Sequence, residues 1–174
     1  MSTEAVFING TSGVGKSSTL QALSAALKRK GTPHAVVDFD YLRLAWPAPP
    51  DDPYNLQLGL ANLANLADNA RQAGAEKLAV AYVVTRPEDV AAFAAALGVP
   101  TMHVIRLRAE PEVVEARLRR RHEIDAPWEL AGFLEGMQEL QHRLDAVALD
   151  DLVIDVTDRS PAEVAQEILV AAGW

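Results

Sequence analysis

Eight residues near the start of the sequence constrain this chain more than any other segment does. Residues 10–17 read GTSGVGKS, a full match to the pattern G-x-x-x-x-G-K-[ST]. An apolar run precedes the pattern at 5–10, and Leu20, Leu23 and Leu27 follow it at helical spacing. The segment therefore predicts a strand, a loop and a helix, with glycines that let backbone N–H groups and a helix N-terminus converge on an anion.

Each residue of this phosphate loop (residues 10–17) has a predicted part in holding a chain of phosphates. Lys16 is expected to reach the terminal phosphates and to act in catalysis, and the Ser17 hydroxyl is expected to ligate magnesium. The remaining nucleotide-binding positions are Gly10, Thr11, Ser12, Gly13, Val14, Gly15 and Ser18. The alternative is a chance glycine-rich turn, and the flanking strand and helix patterns argue against it.

The rest of the chain alternates between strand and helix patterns. Apolar runs predict strands at 34–38, 77–84, 101–107 and 152–156, and periodic segments predict helices at 56–74, 87–97, from 111 and at 127–146. Ser160 and Glu163 have the form of a capping box that opens a last helix. Five strands interleaved with helices predict an α/β fold of three layers, a doubly wound parallel five-stranded sheet.

Length and composition narrow the class of protein. The 174 residues, 49% of them hydrophobic, suit a single domain spanning 1–174. The chain has no apolar stretch of membrane-spanning length and no signal-peptide pattern, so we expect a cytoplasmic protein without membrane contacts. It has no cysteine, which excludes disulfides, thiolate metal sites and cysteine nucleophiles.

Charge argues against a nucleic-acid partner. The formal net charge is -8, whereas phosphate backbones are bound by clustered positive charge. Six of the 16 Lys and Arg residues nevertheless fall in 106–121 and predict a local site for a compact anion.

Two classes of phosphate-loop protein do not fit. The patterns D-x-x-G and N-K-x-D, which GTPases need, do not occur. The third apolar run ends in Thr85 and Arg86, where motor and transporter ATPases have a magnesium-binding aspartate. A small nucleotide-using protein of another class is therefore indicated.

These segments together resemble the small P-loop kinase group, which includes shikimate kinase, gluconate kinase, adenylylsulfate kinase, chloramphenicol phosphotransferase and the nucleoside monophosphate kinases. The resemblance spans nearly the whole chain, and the phosphate loop is its most specific part. It implies the P-loop NTPase fold with sheet order 2-3-1-4-5, ATP with Mg²⁺, and a small-molecule phosphoryl acceptor. It also implies a small lid around 117–128 and an acceptor-side segment around 38–74.

Asp38 and Asp40 lie at the end of the second predicted strand, where the kinase group carries a carboxylate pair. Two residues apart in strict β geometry, their side chains would both face the crevice at the carboxyl end of the sheet. One carboxylate could accept a proton from the acceptor hydroxyl while the other holds magnesium through water, and we assign the metal to Asp38 with Ser17. The alternative is ordinary turn chemistry, in which an aspartate caps the next helix.

Arginines supply the predicted charge neutralisation. Arg117 and Arg121 lie one helical turn apart and share a helix face, which we expect at a mobile edge. A planar guanidinium suits both adenine stacking and bidentate phosphate contacts, so we assign Arg117 to the nucleotide and Arg121 to catalysis. The loop after the last strand contacts adenine in the kinase group, and the resemblance places Arg159 in that loop.

The acceptor is predicted to be a hydroxylated small molecule. Asp40, Arg43, Trp46 and Arg86 lie in segments that the kinase group uses for its acceptor. Residues 38–54 hold four aspartates against the single Arg43, a balance that would repel a dianion. Arg86 keeps the alternative of a nucleoside monophosphate acceptor open, and a non-kinase regulator that binds ATP is the other alternative.

Overall fold

The computed structural model describes residues 4–125 and 130–174. Five strands form one sheet: β1 Glu4–Asn9, β2 His34–Asp38, β3 Lys77–Ala81, β4 His103–Arg108 and β5 Leu152–Asp155. Six α-helices connect and follow them: α1 Lys16–Arg29, α2 Leu56–Gln72, α3 Pro87–Ala96, α4 Pro111–Asp125, α5 Leu130–Val147 and α6 Pro161–Ala172. A short 3-10 helix, Phe39–Leu42, follows β2 directly.

All strand pairs are parallel, and the order across the sheet is β2-β3-β1-β4-β5. This confirms the predicted fold class and sheet order. The central strand β1 has β3 on one side and β4 on the other, with Phe7 paired to both Val80 and Val104. The chain therefore reverses its direction of winding at the end of β1, which is where open α/β sheets form their ligand crevice.

Helices cover both faces of the sheet, because each face carries its own apolar cluster. On one face Ile8 packs with Leu23 of α1 and Ile168 of α6. On the other face Phe7 packs with Leu63 of α2 and Phe93 of α3. Strands buried on both sides in this way read as continuous apolar runs in the sequence, which is why they were easy to predict.

Local signals account for the helix starts. Pro87, Pro111 and Pro161 each occupy the first position of their helix, where the missing N–H of proline is not needed. The capping box of α6 is confirmed. The Ser160 hydroxyl accepts from the Glu163 backbone N–H at 3.3 Å, and the Glu163 carboxylate accepts from the Ser160 N–H at 2.8 Å.

The predicted end of the third strand is wrong by three residues, since β3 ends at Ala81 and not at Val84. The Val84 N–H instead donates to the Asn9 side-chain oxygen at 3.1 Å, so a side chain from β1 replaces the sheet partner. The Tyr82 N–H still donates to the Ile8 oxygen of β1 at 3.2 Å, and Tyr82 and Val83 line the cavities described below.

The predicted lid around 117–128 begins inside α4, and its residues 126–128 lie outside the described residues, as does the predicted helix start at 127. Among the residues that the structure describes, no helix combines the length and apolar character needed to cross a membrane.

Candidate active site

A cleft of about 1140 Å³ opens at the carboxyl edge of the sheet, between the phosphate loop, the turn after β2, the middle of α4 and the start of α6. It brings together most of the predicted site residues: Ser12, Gly13, Val14, Gly15, Lys16, Ser17, Ser18, Asp38, Asp40, Arg43, Arg117, Arg121 and Arg159. Four predicted residues do not line it: Gly10, Thr11, Trp46 and Arg86. The cleft thus joins the predicted donor side and the predicted acceptor side.

The phosphate loop has a backbone that glycine makes possible. Gly10, Gly13 and Gly15 have φ angles of 139°, 80° and 112°, which other residues rarely adopt. A Cβ on Gly10 would lie 2.7 Å from the backbone oxygen of Leu107 in β4. Because that obstacle is backbone, the loop fits against β4 only while position 10 is glycine.

Lys16 folds back across the loop that precedes it. Its half-buried ammonium group donates to the carbonyl oxygens of Gly10 at 2.8 Å and of Thr11 at 3.0 Å. Burial lowers the pKa of Lys16 to about 8, against the opposing effect of the Asp40 and Asp38 carboxylates, while the charge of Arg121 lowers it further. A lysine with a depressed pKa beside an anion-binding loop gains charge stabilisation when phosphate arrives.

Asp38 links the phosphate loop to the turn after β2. Its Oδ2 accepts from the Ser17 hydroxyl at 2.5 Å, and its Oδ1 accepts from the Asp40 backbone N–H at 3.2 Å. Asp38 therefore caps the 3-10 helix, as the turn alternative predicts, and it also contacts Ser17 in the cleft, where its magnesium role stays a prediction. A hydroxyl and a carboxylate oxygen in contact form the kind of hard-oxygen pair that Mg²⁺ uses, with water completing its shell.

Asp40 does not lie in a strand, so the assumption of strict β geometry for the pair is wrong. It belongs to the 3-10 helix, and its side chain still lines the cleft. Its Oδ1 lies 2.7 Å from the Arg43 guanidinium. Arg43 also donates to the Tyr54 carbonyl oxygen at 2.9 Å and stacks over the Tyr82 ring at 5.3 Å from the centroid.

The three predicted nucleotide-side arginines differ in their contacts. Arg117 is half-buried and donates to the carbonyl oxygens of Val14 at 3.0 Å and Val156 at 3.1 Å, so it joins the phosphate loop to the end of β5 instead of lying at a mobile edge. Arg121 is exposed and lines the cleft. Arg159 lines it too, with its guanidinium paired to Glu167 at 2.5 Å.

Two predicted acceptor residues lie away from the cleft. Arg86 is exposed at the start of α3, where its guanidinium pairs with Asp89 at 2.7 Å and with Glu88 at 3.6 Å. These carboxylates raise the pKa of Arg86, chiefly because its guanidinium donates hydrogen bonds to Asp89. Trp46 is 93% exposed and lines neither cavity.

Sequence reasoning missed a buried polar network behind the loop. The Asn9 side-chain oxygen accepts from the Gly10 N–H at 2.9 Å, and its amide donates to Asp150 at 3.1 Å. Arg106 of β4 completes the network, lying 3.1 Å from Asp150 and 2.7 Å from Asp145. Burial raises the pKa of Asp150. The signal was a lone amide ending an apolar strand directly before the first glycine.

Arg106 therefore does not contribute to a surface patch for anions, although it falls in the cationic segment 106–121. Arg119 of the same segment pairs with Glu115 at 2.6 Å. Tyr82 was also missed, because its strand pattern gave no hint that the strand would end one residue earlier.

The fold and the cleft together define a P-loop protein. The sequence profile described as AAA domain matches residues 6–129, and the chain belongs to this family. A search of curated protein sequences found no match.

Solved structures share the fold across nearly their whole length. The tunicamycin resistance protein of Deinococcus radiodurans is 22% identical with a TM-score of 0.69, covering 98% of this chain and 96% of its own. A gluconokinase from Sinorhizobium meliloti 1021 is 19% identical with a TM-score of 0.63, covering 98% and 91%. The Mycobacterium tuberculosis APS kinase CysC, in complex with AMPPNP and APS, is 23% identical with a TM-score of 0.61, covering 99% of both chains.

Proposed function

We propose that this protein transfers the γ-phosphoryl group of ATP to a hydroxyl group of a small molecule. The observation that carries the proposal is the contact between Ser17 and Asp38, which puts a carboxylate pair directly beside the phosphate loop. A phosphate loop alone explains nucleotide binding. A neighbouring pair of carboxylates on the other wall of the same cleft supplies what a hydroxyl acceptor needs, because a hydroxyl must lose a proton.

In the proposed reaction the loop binds the phosphates through its N–H groups, and Lys16 moves from the carbonyl oxygens of Gly10 and Thr11 to the terminal phosphates. Ser17 and Asp38 would hold Mg²⁺, which neutralises charge on the phosphates. The acceptor oxygen forms a bond to the γ-phosphorus while the bond between the γ-phosphorus and the β–γ bridging oxygen breaks, and that oxygen leaves with ADP. The proton of the acceptor hydroxyl passes to Asp40. Arg121 stabilises the charge on the transferred group.

The described contacts favour this assignment of the two carboxylates. Asp38 faces Ser17, the residue that ligates the metal in phosphate-loop proteins, whereas Asp40 faces Arg43 and the acceptor-side segment (residues 38–74). Arg43 is the only Lys or Arg in residues 38–58, and Asp40 already neutralises it. The pairing of Arg86 with Asp89 and Glu88 weakens the case for a monophosphate acceptor.

The direct test supplies the purified protein with ATP and Mg²⁺ and measures ADP release with separate panels of hydroxylated compounds and nucleoside monophosphates. We expect stimulation by one or more hydroxylated compounds. The Asp40→Asn variant should lose about 100-fold or more in turnover and keep its affinity for AMPPNP, since general base catalysis contributes factors of about 10²–10⁴.

Asp68→Asn is the matched control, because Asp68 also pairs with an arginine three residues later but lies on α2 outside both cavities. Faster turnover with a monophosphate than with any hydroxylated compound, or full activity in Asp40→Asn, would contradict the hydroxyl assignment. ATP binding without acceptor-stimulated ADP release would favour the alternative of a non-kinase regulator that binds ATP.

A further inference from the structure

A second cavity of about 300 Å³ lies beside the main cleft on the acceptor side. Tyr82 and Val83 form part of the wall of both cavities. In the sheet, Asp38 of β2 pairs with Ala81 of β3. Tyr82 is the next residue after Ala81, so it lies close to the proposed catalytic carboxylates. A molecule with its hydroxyl at Asp40 could therefore extend the rest of its structure past Tyr82 into the second cavity.

The lining of this cavity is aromatic, aliphatic and acidic. Its lining residues include Tyr54, Leu56 and Tyr82, with the almost fully buried Phe93 behind them. No lysine or arginine is among its lining residues within the described part of the chain. Small-molecule sites usually combine such apolar walls with a few polar groups that fix orientation.

Two of its three aspartates have structural partners. Asp52 accepts from the backbone N–H groups of Leu56 at 2.7 Å and Gln57 at 2.9 Å, so it caps the start of α2. Asp89 forms the ion pair with Arg86. Because the ion pair with Arg86 offsets the charge of Asp89, the net negative charge at the cavity comes from Asp51 and Asp52, and it disfavours an anionic ligand.

The aromatic side chains project from a frame that hydrogen bonds hold in place. Arg43 donates to the Tyr54 carbonyl oxygen, and the buried Asn55 amide donates to the carbonyl oxygens of Arg43 at 3.1 Å and Ala45 at 2.9 Å. Tyr54 itself is 74% exposed. A ring whose backbone is already fixed before its ligand arrives has less conformational freedom to lose on binding.

Exposed apolar groups are concentrated in this region. Seven large hydrophobic side chains are exposed among the described residues, and five of them fall in 41–58: Tyr41, Leu44, Trp46, Tyr54 and Leu58. Tyr41 and Leu44 line the main cleft, and Tyr54 lines the second cavity. Clustered exposed apolar groups at a cleft mark a ligand surface more often than scattered ones do.

We propose that the second cavity binds the part of the acceptor that does not react, and that this part is aromatic or aliphatic and carries no negative charge. The inference rests on the proposed function for the placement of the reacting hydroxyl at Asp40. The proposal excludes two kinds of acceptor. Compact polyols have no apolar part for these walls, and phosphorylated or carboxylated metabolites carry a negative charge that the aspartates repel.

Three neutral or charged versions of one sugar test the proposal: D-glucose, phenyl β-D-glucopyranoside and phenyl β-D-glucuronide. Their dissociation constants are measured by titration calorimetry or ligand-observed NMR with the full chain, saturating AMPPNP and Mg²⁺. We expect the phenyl glucoside to bind at least about tenfold more tightly than glucose, because a phenyl ring leaves water for apolar walls. We expect the glucuronide to bind more weakly than the phenyl glucoside, since its carboxylate meets aspartates.

Tyr54→Ala should reduce the preference for the phenyl glucoside over glucose to about threefold or less, and Tyr54→Phe should retain it. The backbone carbonyl that Arg43 uses is unchanged in both variants, and thermal unfolding checks their folding. Val170→Ala is the control, since Val170 is equally exposed at 74% but lies on α6 away from both cavities.

Equal affinity for glucose and phenyl glucoside, no binding of either, or tighter binding of the glucuronide would overturn the proposal. An unchanged preference in Tyr54→Ala would do the same. Because AMPPNP does not transfer its phosphoryl group, these outcomes are independent of whether the protein is a kinase. Failure of the proposed function would appear separately, as the absence of acceptor-stimulated ADP release.

Discussion

The phosphate loop and the acceptor-side segment form opposite walls of one cleft, and they are held in place by different means. The loop depends on backbone geometry: Gly10 lies against the backbone of β4, and Gly13 lies where a Cβ would be 2.7 Å from Leu118 of α4. The acceptor-side segment depends on side chains that bond to backbone, such as those of Asp52 and Asn55. A wall that depends on one backbone geometry tolerates few substitutions. A wall that depends on side-chain hydrogen bonds can change one contact at a time, through single substitutions.

Substitution of Gly10 should have the largest effect on the backbone-fixed wall. Gly10→Ala adds a Cβ at a φ of 139° and 2.7 Å from the Leu107 oxygen. Strained dihedrals cost about 1–3 kcal/mol and overpacking costs about 1–3 kcal/mol. We therefore expect AMPPNP affinity to fall by at least about 100-fold, measured by calorimetry, with a lower melting temperature.

Gly31→Ala is the control that separates the effect of backbone strain from the effect of a steric clash. Gly31 also has a positive φ, of 70°, but a Cβ there would meet nothing within 4 Å. It should lose a little stability and keep its nucleotide affinity. If Gly10→Ala binds AMPPNP as the unchanged protein does, the loop is not fixed by its backbone in the way described.

The same difference explains how much the sequence could predict. Strand and helix positions followed from apolar periodicity, and the phosphate loop was recognisable because backbone geometry requires particular residues at fixed spacing. Asp38 and Asp40 were proposed as site residues for a similar reason, since they lie at the end of a strand, and both line the cleft. The end of β3 was missed because it depends on Asn9, a residue about 70 positions earlier whose amide bonds to Val84.

The acceptor side was predicted less well because its contacts follow no spacing rule. Arg43 was expected to bind the acceptor and does line the cleft, but its contacts with Asp40, the Tyr54 carbonyl and the Tyr82 ring were not predicted. Trp46 was expected to bind it too, and its side chain lines neither cavity. Neither arrangement can be read from residue types alone, because each depends on where a loop returns in space.

The depressed pKa of Lys16 should make nucleotide binding at the phosphate loop depend on pH. Its folded pKa is about 8, below the value of about 10.4 for an unfolded chain. Above pH 8 the folded protein loses this charge, so we expect ADP affinity to fall by up to about tenfold per pH unit. Between about pH 8 and 10.4 the unfolded state binds more protons, so the contribution of Lys16 to stability should rise with pH.

Nucleotide affinity and the Lys16 contribution to stability should therefore change in opposite directions over the same pH range. Lys16→Ala should lower ADP affinity at least about tenfold at pH 7 and abolish both pH effects, which are measured by calorimetry and urea unfolding. An ADP affinity that stays constant from pH 7 to 9.5 would contradict the depressed pKa. Asp38, Asp40 and Arg121 are the charged groups that influence Lys16, so none of them is changed in this series.

Arg117 tests whether a side chain also supports the backbone-fixed wall. Its guanidinium bonds to Val14 of the loop and to Val156 beyond β5, a pair of contacts that one ammonium group cannot reproduce. Arg117→Lys should lower the free energy of unfolding by about 1–3 kcal/mol and AMPPNP affinity by about three- to tenfold. Arg121→Lys, which alters an exposed position in the same cleft, should lower turnover without changing unfolding. Equal unfolding curves for both variants would assign Arg117 to the nucleotide alone.

Arg43 should give the smallest effect and the one most confined to the acceptor side. Its ion pair with Asp40 is partly exposed, so its loss should cost no more than about 1 kcal/mol of stability. Arg43→Ala removes the link between Asp40, Tyr54 and Tyr82, and we expect the acceptor KM to rise about three- to fivefold while AMPPNP affinity changes by less than about twofold. Arg71→Ala is a closely matched control, because Arg71 and Asp68 are also three residues apart and 2.7 Å apart but lie outside both cavities. If Arg43→Ala weakens AMPPNP and acceptor binding equally, the two walls are coupled through this arginine, and the separation between them does not hold.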